Sequence, residues 1–176
     1  MSTLFHKIVD NCMLEACQSF DGVPSSEGED IIYEKLKEMY PEVKRQYKSE
    51  EFPYFADFYI PSENMLIDYS KHWTHGRKKF DPDNEEHQAE LADLKSNDGA
   101  FYKRAVDTWT RVDPEKEQTA KDAGFKYLVF YNMREFDKWF ENPELTYEEY
   151  ADPDPLLYDS EEYFRQKANG ENPYGN

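Results

Sequence analysis

The hydrophobic pattern is clearest in residues 53–76, PYFADFYIPSENMLIDYSKHWTHG, which predict two strands joined by a tight turn at residues 61–64. Side chains two residues apart share one face of a strand, and here both faces of each strand are largely apolar. Strands of this kind are typical of the interior of a sheet. Asp57 lies within the first predicted strand and Asp68 within the second, so each strand carries one acid.

These two acids are candidate metal ligands. A carboxylate within an apolar strand is unfavourable unless it is paired, hydrogen-bonded or bound to a metal. Mg²⁺ usually takes one or two carboxylates and fills its remaining positions with water and phosphate oxygens. Asp57 and Asp68 could supply those carboxylates, and His72 and His75 follow the second strand. Alternatively, one acid caps the turn or pairs with a lysine, and the spacing alone leaves both interpretations open.

Two helices are predicted before the acidic strands. Apolar residues recur with a helical period over residues 4–20, and the breaker sequence at residues 21–24 ends that helix. Ser26 and Glu29 match a capping box at the start of a second apolar helical run. Glu29 also lies on the apolar side of this second helix, which directs it toward the core. It is therefore either a cap or an acid that needs a partner.

The pattern after the acidic strands alternates between helices and short strands. Strand, helix and strand in succession are typical of a crossover connection in a mixed sheet, so the predicted fold class is α/β. His87 is expected to pack against the body of the protein. Further strands are predicted at residues 43–48, 108–112 and 125–131, and further helices at 85–95, 100–106, 115–123 and 134–140.

Four blocks between residues 25 and 131 resemble the PD-(D/E)XK nucleases, in particular the phage and homing-type members and the very-short-patch repair endonucleases. SSEGEDIIYEKL resembles the opening helix of that family and DFYIP its first acidic strand. MLIDYSKHWTHG resembles the second acidic strand, and VDPEKEQTAKDAGFKYLVFY the closing helix and strand. The resemblance implies a restriction-endonuclease-like core, in which a central mixed β-sheet is flanked by helices.

The resemblance also implies roles for individual residues. Asp57 and Asp68 would hold Mg²⁺ or Mn²⁺, and Glu29 would be the helix acid that sometimes joins them. His75 would match the histidine that follows the second strand, and either His72 or His75 could transfer a proton. The chain departs from the family pattern at two positions. The family favours Glu at Asp68, and it favours Lys or Asn at Ser70.

The lysine expected at Ser70 has two possible substitutes. Lys71 is adjacent, but strand alternation directs it to the opposite face unless a bulge turns it inward. Lys126 enters the last strand, although a surface lysine with its ammonium group in water is the favoured interpretation of that position. The predicted catalytic residues are Asp57, Asp68, Ser70, Lys71, His72 and His75, and the predicted metal ligands are Asp57, Asp68 and Glu29.

Three regions are expected along the chain. An N-terminal helix occupies residues 1–24, and the nuclease-like core occupies residues 25–141. Relative to a compact core, a helical insertion lies at about residues 80–107. An acidic, tyrosine- and proline-rich tail follows at residues 142–176. This tail either keeps the protein soluble or imitates a nucleic-acid strand with its carboxylates and aromatic rings.

The overall charge is unfavourable for a DNA-binding protein. The 176-residue chain has 38 acidic against 21 basic residues and a formal net charge of −17. Repulsion slows association with DNA, and binding to phosphates needs local lysine and arginine. A DNA substrate therefore requires a local basic patch. The candidates for it are Arg77, Lys78, Lys79, Lys103, Arg104 and Arg111.

The sequence also indicates a compartment. No apolar run is long enough for a transmembrane helix, and the first residues lack the pattern of a secretory signal. The two cysteines, Cys12 and Cys17, indicate neither a zinc site nor a disulfide framework. We expect no membrane partner and a cytoplasmic location, in the bacterial host cell if the chain is phage-encoded.

Two functions are compatible with these features. The first is a phage-encoded, divalent-metal-dependent endonuclease that hydrolyses DNA phosphodiester bonds, in which the metal activates a water molecule. The alternative is a catalytically degenerate nuclease-like protein that acts as a DNA mimic or counter-defence inhibitor and binds a basic protein partner. The nuclease explains the two strand acids and the paired histidines. The alternative explains the negative charge and Ser70.

Overall fold

The computed structural model describes residues 18–20 and 23–152, which form a two-stranded antiparallel sheet, a four-stranded mixed sheet and the helices around it. The strands are β1 (Gln18–Phe20), β2 (Val23–Ser25), β3 (Lys44–Tyr47), β4 (Ala56–Ile60), β5 (Met65–Tyr69) and β6 (Lys126–Phe130). The helices are α1 (Glu27–Met39), α2 (Glu85–Lys95), α3 (Ala100–Asp107), α4 (Asp113–Asp122), α5 (Met133–Glu141) and α6 (Tyr147–Tyr150). Short 3₁₀ turns lie at Pro61–Glu63 and Trp73–His75, and a π-helical turn lies at Thr108–Val112.

The four-stranded sheet has the strand order β3-β4-β5-β6, so β4 and β5 are interior strands, as predicted. β3 pairs antiparallel with β4, and β4 pairs antiparallel with β5. β6 pairs parallel with β5. The turn between the two acidic strands ends at Asn64, whose φ of 46° is better tolerated by asparagine than by most residues. The predicted α/β class, with a mixed sheet flanked by helices, is confirmed.

Each face of this sheet is covered by a separate hydrophobic core. On one face, α1, α5 and α6 pack against a cluster that includes Phe58 and Ile67. On the other face, Ala120 of α4 packs in a smaller cluster with Leu66. Because residues two apart share a face, Asp68 lies on the same side of β5 as Leu66 and faces α4.

The helix predicted over residues 4–20 is wrong at its C-terminal end. Residues 1–17 lie outside the described residues, and the last three residues of the predicted span, Gln18–Phe20, form β1 instead. β1 pairs antiparallel with β2. Val23 and Pro24 of the breaker sequence belong to β2, and residues 21 and 22 lie outside the described residues.

The strand predicted at residues 108–112 is wrong, because this segment is the π-helical turn between α3 and α4. The Trp109 side chain is 1% exposed, and its Nε1 donates a hydrogen bond to the carbonyl of Lys78 at 2.8 Å. Burial of this large ring outweighs the strand preference of the threonine and valine residues beside it. The chain is consequently helical without interruption from Ala100 to Asp122.

Helices α2 and α3 lie in the predicted insertion and are anchored through Trp109. Gly76 has a φ of 63°, and a β-carbon there would lie 2.1 Å from Cε2 of Trp109, so only glycine fits this contact. His87 packs on the same tryptophan, with 5.7 Å between ring centroids, which confirms its predicted packing role. α3 also packs against the 3₁₀ turn at Trp73–His75.

Only the first part of the predicted tail, residues 142–152, is described. Tyr150 of α6 is 2% exposed, and its hydroxyl donates a hydrogen bond to the carbonyl of Val129 at 3.2 Å. This part of the tail is therefore packed into the core. Among the described residues, none of the helices combines the length and apolar character that crossing a bilayer requires.

Candidate functional site

The two strand acids lie side by side and replace regular backbone pairing between β4 and β5. The backbone register of these strands ends at the pair Phe58 and Ile67. Beyond it, the amide of Asp57 donates a hydrogen bond to Oδ1 of Asp68 at 3.2 Å. In return, the amide of Tyr69 donates to Oδ2 of Asp57 at 2.7 Å. Each carboxylate thus bonds the backbone of the opposite strand, which holds the two side chains next to each other.

A lysine that the sequence analysis missed completes this group. Nζ of Lys116 lies 2.5 Å from Oδ2 of Asp68, and the hydroxyl of Tyr127 donates a hydrogen bond to the same oxygen. The lysine comes from α4, where it is one helical turn before the buried Ala120 and shares its face. The side chains of Lys116 and Asp68 are only 17% and 4% exposed, so this is a buried ion pair.

Negative charge exceeds positive charge at this site. Burial, together with the charges of Asp68 and Glu29, raises the pKa of Asp57 to about 8, against the opposing effects of the Tyr69 amide and Lys116. Burial would lower the pKa of Lys116, but attraction to Asp68 and Asp57 raises it above its usual value. Lys116 therefore remains a cation, while the carboxylates still favour an additional proton or metal ion.

Glu29 performs the capping role and also acts on the acid pair. Oγ of Ser26 donates a hydrogen bond to Oε1 of Glu29 at 2.8 Å, and the amide of Glu29 donates to Oγ of Ser26 at 3.3 Å. Burial raises the pKa of Glu29, while its bonds to Ser26 oppose the change. Because its charge contributes to the raised pKa of Asp57, Glu29 lies at the same end of the sheet as the acid pair.

The donor atoms present fit a metal site with two carboxylates. Among the described residues, no group of three or more aspartate, glutamate, histidine or cysteine side chains is arranged to hold a metal ion. Oδ1 of Asp57 has only a long contact of 3.4 Å with Nε2 of Gln46. Mg²⁺ often binds proteins through one or two carboxylates, so Asp57 and Asp68 can serve without Glu29 as a direct ligand.

The other predicted catalytic residues are placed differently. The amide of Ser70 donates to the carbonyl of Phe130 at 2.8 Å, and the residue lines a cavity of about 110 Å³ together with Tyr127. Lys71 is partly exposed and acts electrostatically on Glu29. Lys126 is exposed and pairs with Met65 at the opposite end of β5. Of the lysines considered as substitutes, Lys126 is therefore excluded by its position.

The two histidines make separate contacts. Nδ1 of His75 lies 2.7 Å from Oδ2 of Asp113, at the start of α4. Nδ1 of His72 lies 2.9 Å from Oγ1 of Thr74 and accepts a hydrogen bond from its amide, so His72 caps the 3₁₀ turn. Burial lowers the pKa of His72, and the positive charges of nearby residues lower it further. These effects favour the neutral form of the His72 imidazole.

Half of the predicted basic patch is neutralised by carboxylates. Lys78 pairs with Glu90 at 2.9 Å and Lys79 with Glu117 at 2.8 Å, while Arg111 binds carboxylates on both sides of it in the helix. The remaining candidates are Arg77, Lys103 and Arg104. Lys103 has only a 3.9 Å contact with a fully exposed aspartate, and within residues 25–152 neither arginine has an ion pair.

No protein-family model, curated protein or solved structure matches the chain. Membership of the PD-(D/E)XK nucleases therefore stays a prediction, and so do the roles that this resemblance implies. The function has to be argued from the geometry and charge of the site.

Proposed function

We propose that this protein is a divalent-metal-dependent endonuclease that hydrolyses phosphodiester bonds in DNA, with its reaction centre at Asp57 and Asp68. The proposal rests on one observation, the placement of two adjacent carboxylates and the buried ammonium group of Lys116 at one end of the sheet. A phosphodiester reaction needs both kinds of group. Carboxylates hold a cation, and an ammonium group stabilises negative charge that develops on the phosphate.

In this proposal Asp57 and Asp68 bind Mg²⁺ or Mn²⁺ through their carboxylate oxygens. When bound, the ion supplies a water molecule of lowered pKa and neutralises charge on the phosphate. The hydroxyl of Tyr127 and the ammonium group of Lys116 orient Asp68. Lys116 takes the role that the family resemblance assigns to a lysine at Ser70, because it is the cation in contact with the acid pair.

His75 is the better candidate for proton transfer. Its bond to Asp113 fixes the orientation of the imidazole ring, as a carboxylate partner commonly does for catalytic histidines. Asp113 is on α4, the helix that also carries Lys116, and it acts electrostatically on that lysine. His72 contributes to the 3₁₀ turn instead. We therefore assign the proton transfer to His75 and not to His72.

Metal titration and plasmid nicking test the proposal together. Calorimetry with Mn²⁺ and Mg²⁺ should give a binding signal in the wild type that is lost in the Asp57→Asn/Asp68→Asn variant. Mn²⁺-dependent nicking should be lost in the same variant. Lys116→Met should lose nicking, whereas the matched control Lys126→Met should retain it, because Lys126 lies at the opposite end of β5. Absence of both metal binding and nicking in the wild type would refute the nuclease.

One observation favours the alternative function, an acidic protein that binds a basic partner. Both oxygens of Asp68 already have protein partners, since Oδ1 accepts from Asp57 and Oδ2 contacts Lys116 and Tyr127. A buried acid satisfied in this way needs no metal. This alternative predicts that Mg²⁺ leaves the stability of the protein unchanged, and it would become the leading function if the wild type binds no metal.

A further inference from the structure

A group of aromatic side chains lies outside both cores, in the segment after β5 and at the start of α3. It consists of His72, Trp73, Phe101 and Tyr102, which we call the aromatic platform. Trp73 lies 5.2 Å from Phe101 and 5.6 Å from Tyr102 between ring centroids, and His72 lies 6.1 Å from Phe101. These pairs meet at interplanar angles of 63°, 51° and 83°, so none of them is a parallel stack.

The platform is open to solvent. Phe101 is 38% exposed, and the other three members are partly exposed. The other two tryptophans, Trp109 and Trp139, are at most 1% exposed and pack in the protein interior. Leaving several aromatic rings together in water is unfavourable without a ligand, so a cluster of this kind commonly marks a binding surface.

Several basic side chains lie near the platform, although the protein as a whole is strongly acidic. Lys71 and Arg77 lie close enough to His72 for their charges to lower its pKa, after the larger effect of burial. Lys103 and Arg104 follow Phe101 and Tyr102 on α3. The basic candidates that carboxylates leave available, Arg77, Lys103 and Arg104, are thus all next to the platform in the chain.

The platform is connected to the acid pair by two routes. His72 is four positions after Asp68 in the chain, which limits the distance between their Cα atoms to about 14 Å. In addition, His75 ends the 3₁₀ turn that begins at Trp73 and bonds to Asp113 of α4, the helix of Lys116. The platform is therefore linked through short segments to the strand of Asp68 and to the helix of Lys116.

We propose that the aromatic platform binds unpaired nucleobases, so that a single-stranded segment of DNA crosses it. Aromatic rings stack on bases of any sequence, and neighbouring lysines and arginines bind the phosphates between them. A base pair in a duplex presents its edges and not its ring faces, so the platform should discriminate against duplex DNA. The proposal rests on the nuclease function only for its further statement that this strand is the one cleaved at Asp57 and Asp68.

Binding is measured without metal, so that it does not depend on cleavage. The probe is a fluorescein-labelled oligothymidylate of about 15 nucleotides in EDTA, compared with a duplex of equal length by anisotropy. The single strand should bind more tightly. Binding should also quench the fluorescence of Trp73, since the other two tryptophans are buried. A Trp73→Phe variant should keep the affinity and lose the quenching.

Variants of Phe101 separate stacking from general hydrophobic contact. Phe101→Ala should weaken binding of the single strand by about 5- to 150-fold, the range measured when a stacking ring is truncated. Phe101→Tyr should retain binding, and Phe101→Leu should not. Met39→Ala is the matched control, because Met39 is 42% exposed, similar to Phe101, and lies at the far end of α1. Thermal unfolding of each variant verifies that it is folded.

The possible outcomes separate this proposal from the nuclease. Tighter duplex binding, or equal effects of Phe101→Ala and Met39→Ala, would overturn the platform. If nicking of plasmid DNA persisted in that case, the nuclease would stand without it. Conversely, Phe101-dependent binding of the single strand with no cleavage in Mn²⁺ would support the platform and refute the nuclease.

Discussion

The raised pKa of Asp57 predicts that the metal-free protein loses stability as the pH rises from about 4 to about 8. The folded protein holds the Asp57 proton up to a pKa of about 8, whereas the unfolded chain releases it near the ordinary aspartate pKa of 3.8. Between these values the folded state binds one more proton than the unfolded state, so the free energy of unfolding falls with pH. Asp57→Asn, which carries no titrating proton, should remove this contribution.

The size of this change in stability is set by the single proton on Asp57. The proton on Asp57 should by itself lower the free energy of unfolding by about 1.4 kcal/mol per pH unit, or about 2.7 kcal/mol between pH 5 and pH 7. The two proteins should be similarly stable at pH 5, and Asp57→Asn should be the more stable by about that amount at pH 7. Asp57 is partly exposed. Solvent screening that lowers its pKa by about one unit would still leave most of this window intact.

Urea unfolding at pH 5, 6 and 7, in EDTA and in Mg²⁺, measures the effect. A bound Mg²⁺ ion lowers the pKa of its carboxylate ligands, so it should flatten the pH dependence of the wild type. The control is Glu135→Gln, which removes a second buried acid whose pKa burial raises to about 7. This control should have a weaker pH dependence in EDTA but retain the response to Mg²⁺. Asp57→Asn should lose that response.

Equal pH dependence in the wild type and Asp57→Asn would refute the reasoning, because it would mean that the folded protein does not hold a proton at Asp57. A pH dependence that differs between the wild type and Asp57→Asn as expected, but does not change when Mg²⁺ is added, would have another meaning. It would confirm that the folded protein raises the pKa of Asp57, and it would contradict the metal site.

Three further predictions concern the packing of the site. Lys116→Met should destabilise the protein by about 3–5 kcal/mol at pH 8, because it leaves the Asp68 charge buried and unpaired. Lys116→Met/Asp68→Asn should recover part of that loss in urea unfolding, and strict additivity of the two changes would contradict the ion pair. Tyr127→Phe should cost about 1–3 kcal/mol by the same assay, and no cost would show that its hydroxyl bond to Asp68 is unimportant. Gly76→Ala should destabilise the protein by more than about 1 kcal/mol, because residue 76 has a positive φ and the added methyl group would meet the ring of Trp109. The same change should shift the fluorescence of Trp109, and an unchanged spectrum would contradict this contact.

The interior strands could be predicted from the sequence because alternation is a local signal. Two largely apolar faces around Asp57 and Asp68 indicated buried strands, and the structure places both strands inside the sheet. The helical period likewise predicted α1, α2 and α5 to within a few residues. In each case the residues that decide the element lie within a few positions of one another.

Contacts across the fold could not be predicted in the same way. Lys116 lies 48 positions after Asp68 in the chain and on a largely polar helix, so it has the local pattern of a surface lysine. Its one signal is the four-residue spacing to Ala120, which is buried. The ion pairs that neutralise Lys78 and Lys79 are also long-range in the sequence. Charge counting therefore overestimated the basic patch.

The exchange of carboxylate bonds between β4 and β5 has a consequence for how this chain can evolve. Asp57 and Asp68 bond the backbone amides that ordinary strand pairing would otherwise satisfy. If the protein is the proposed nuclease, a descendant that had lost cleavage would still be under selection to keep an oxygen acceptor at both positions, since unpaired buried amides are costly. Replacement of either aspartate by asparagine would keep such an acceptor and would be tolerated, whereas replacement by alanine would remove it and would be selected against. Lys116 would distinguish active from inactive descendants, because its positive charge has no carboxylate to pair with once both acids are replaced by neutral residues.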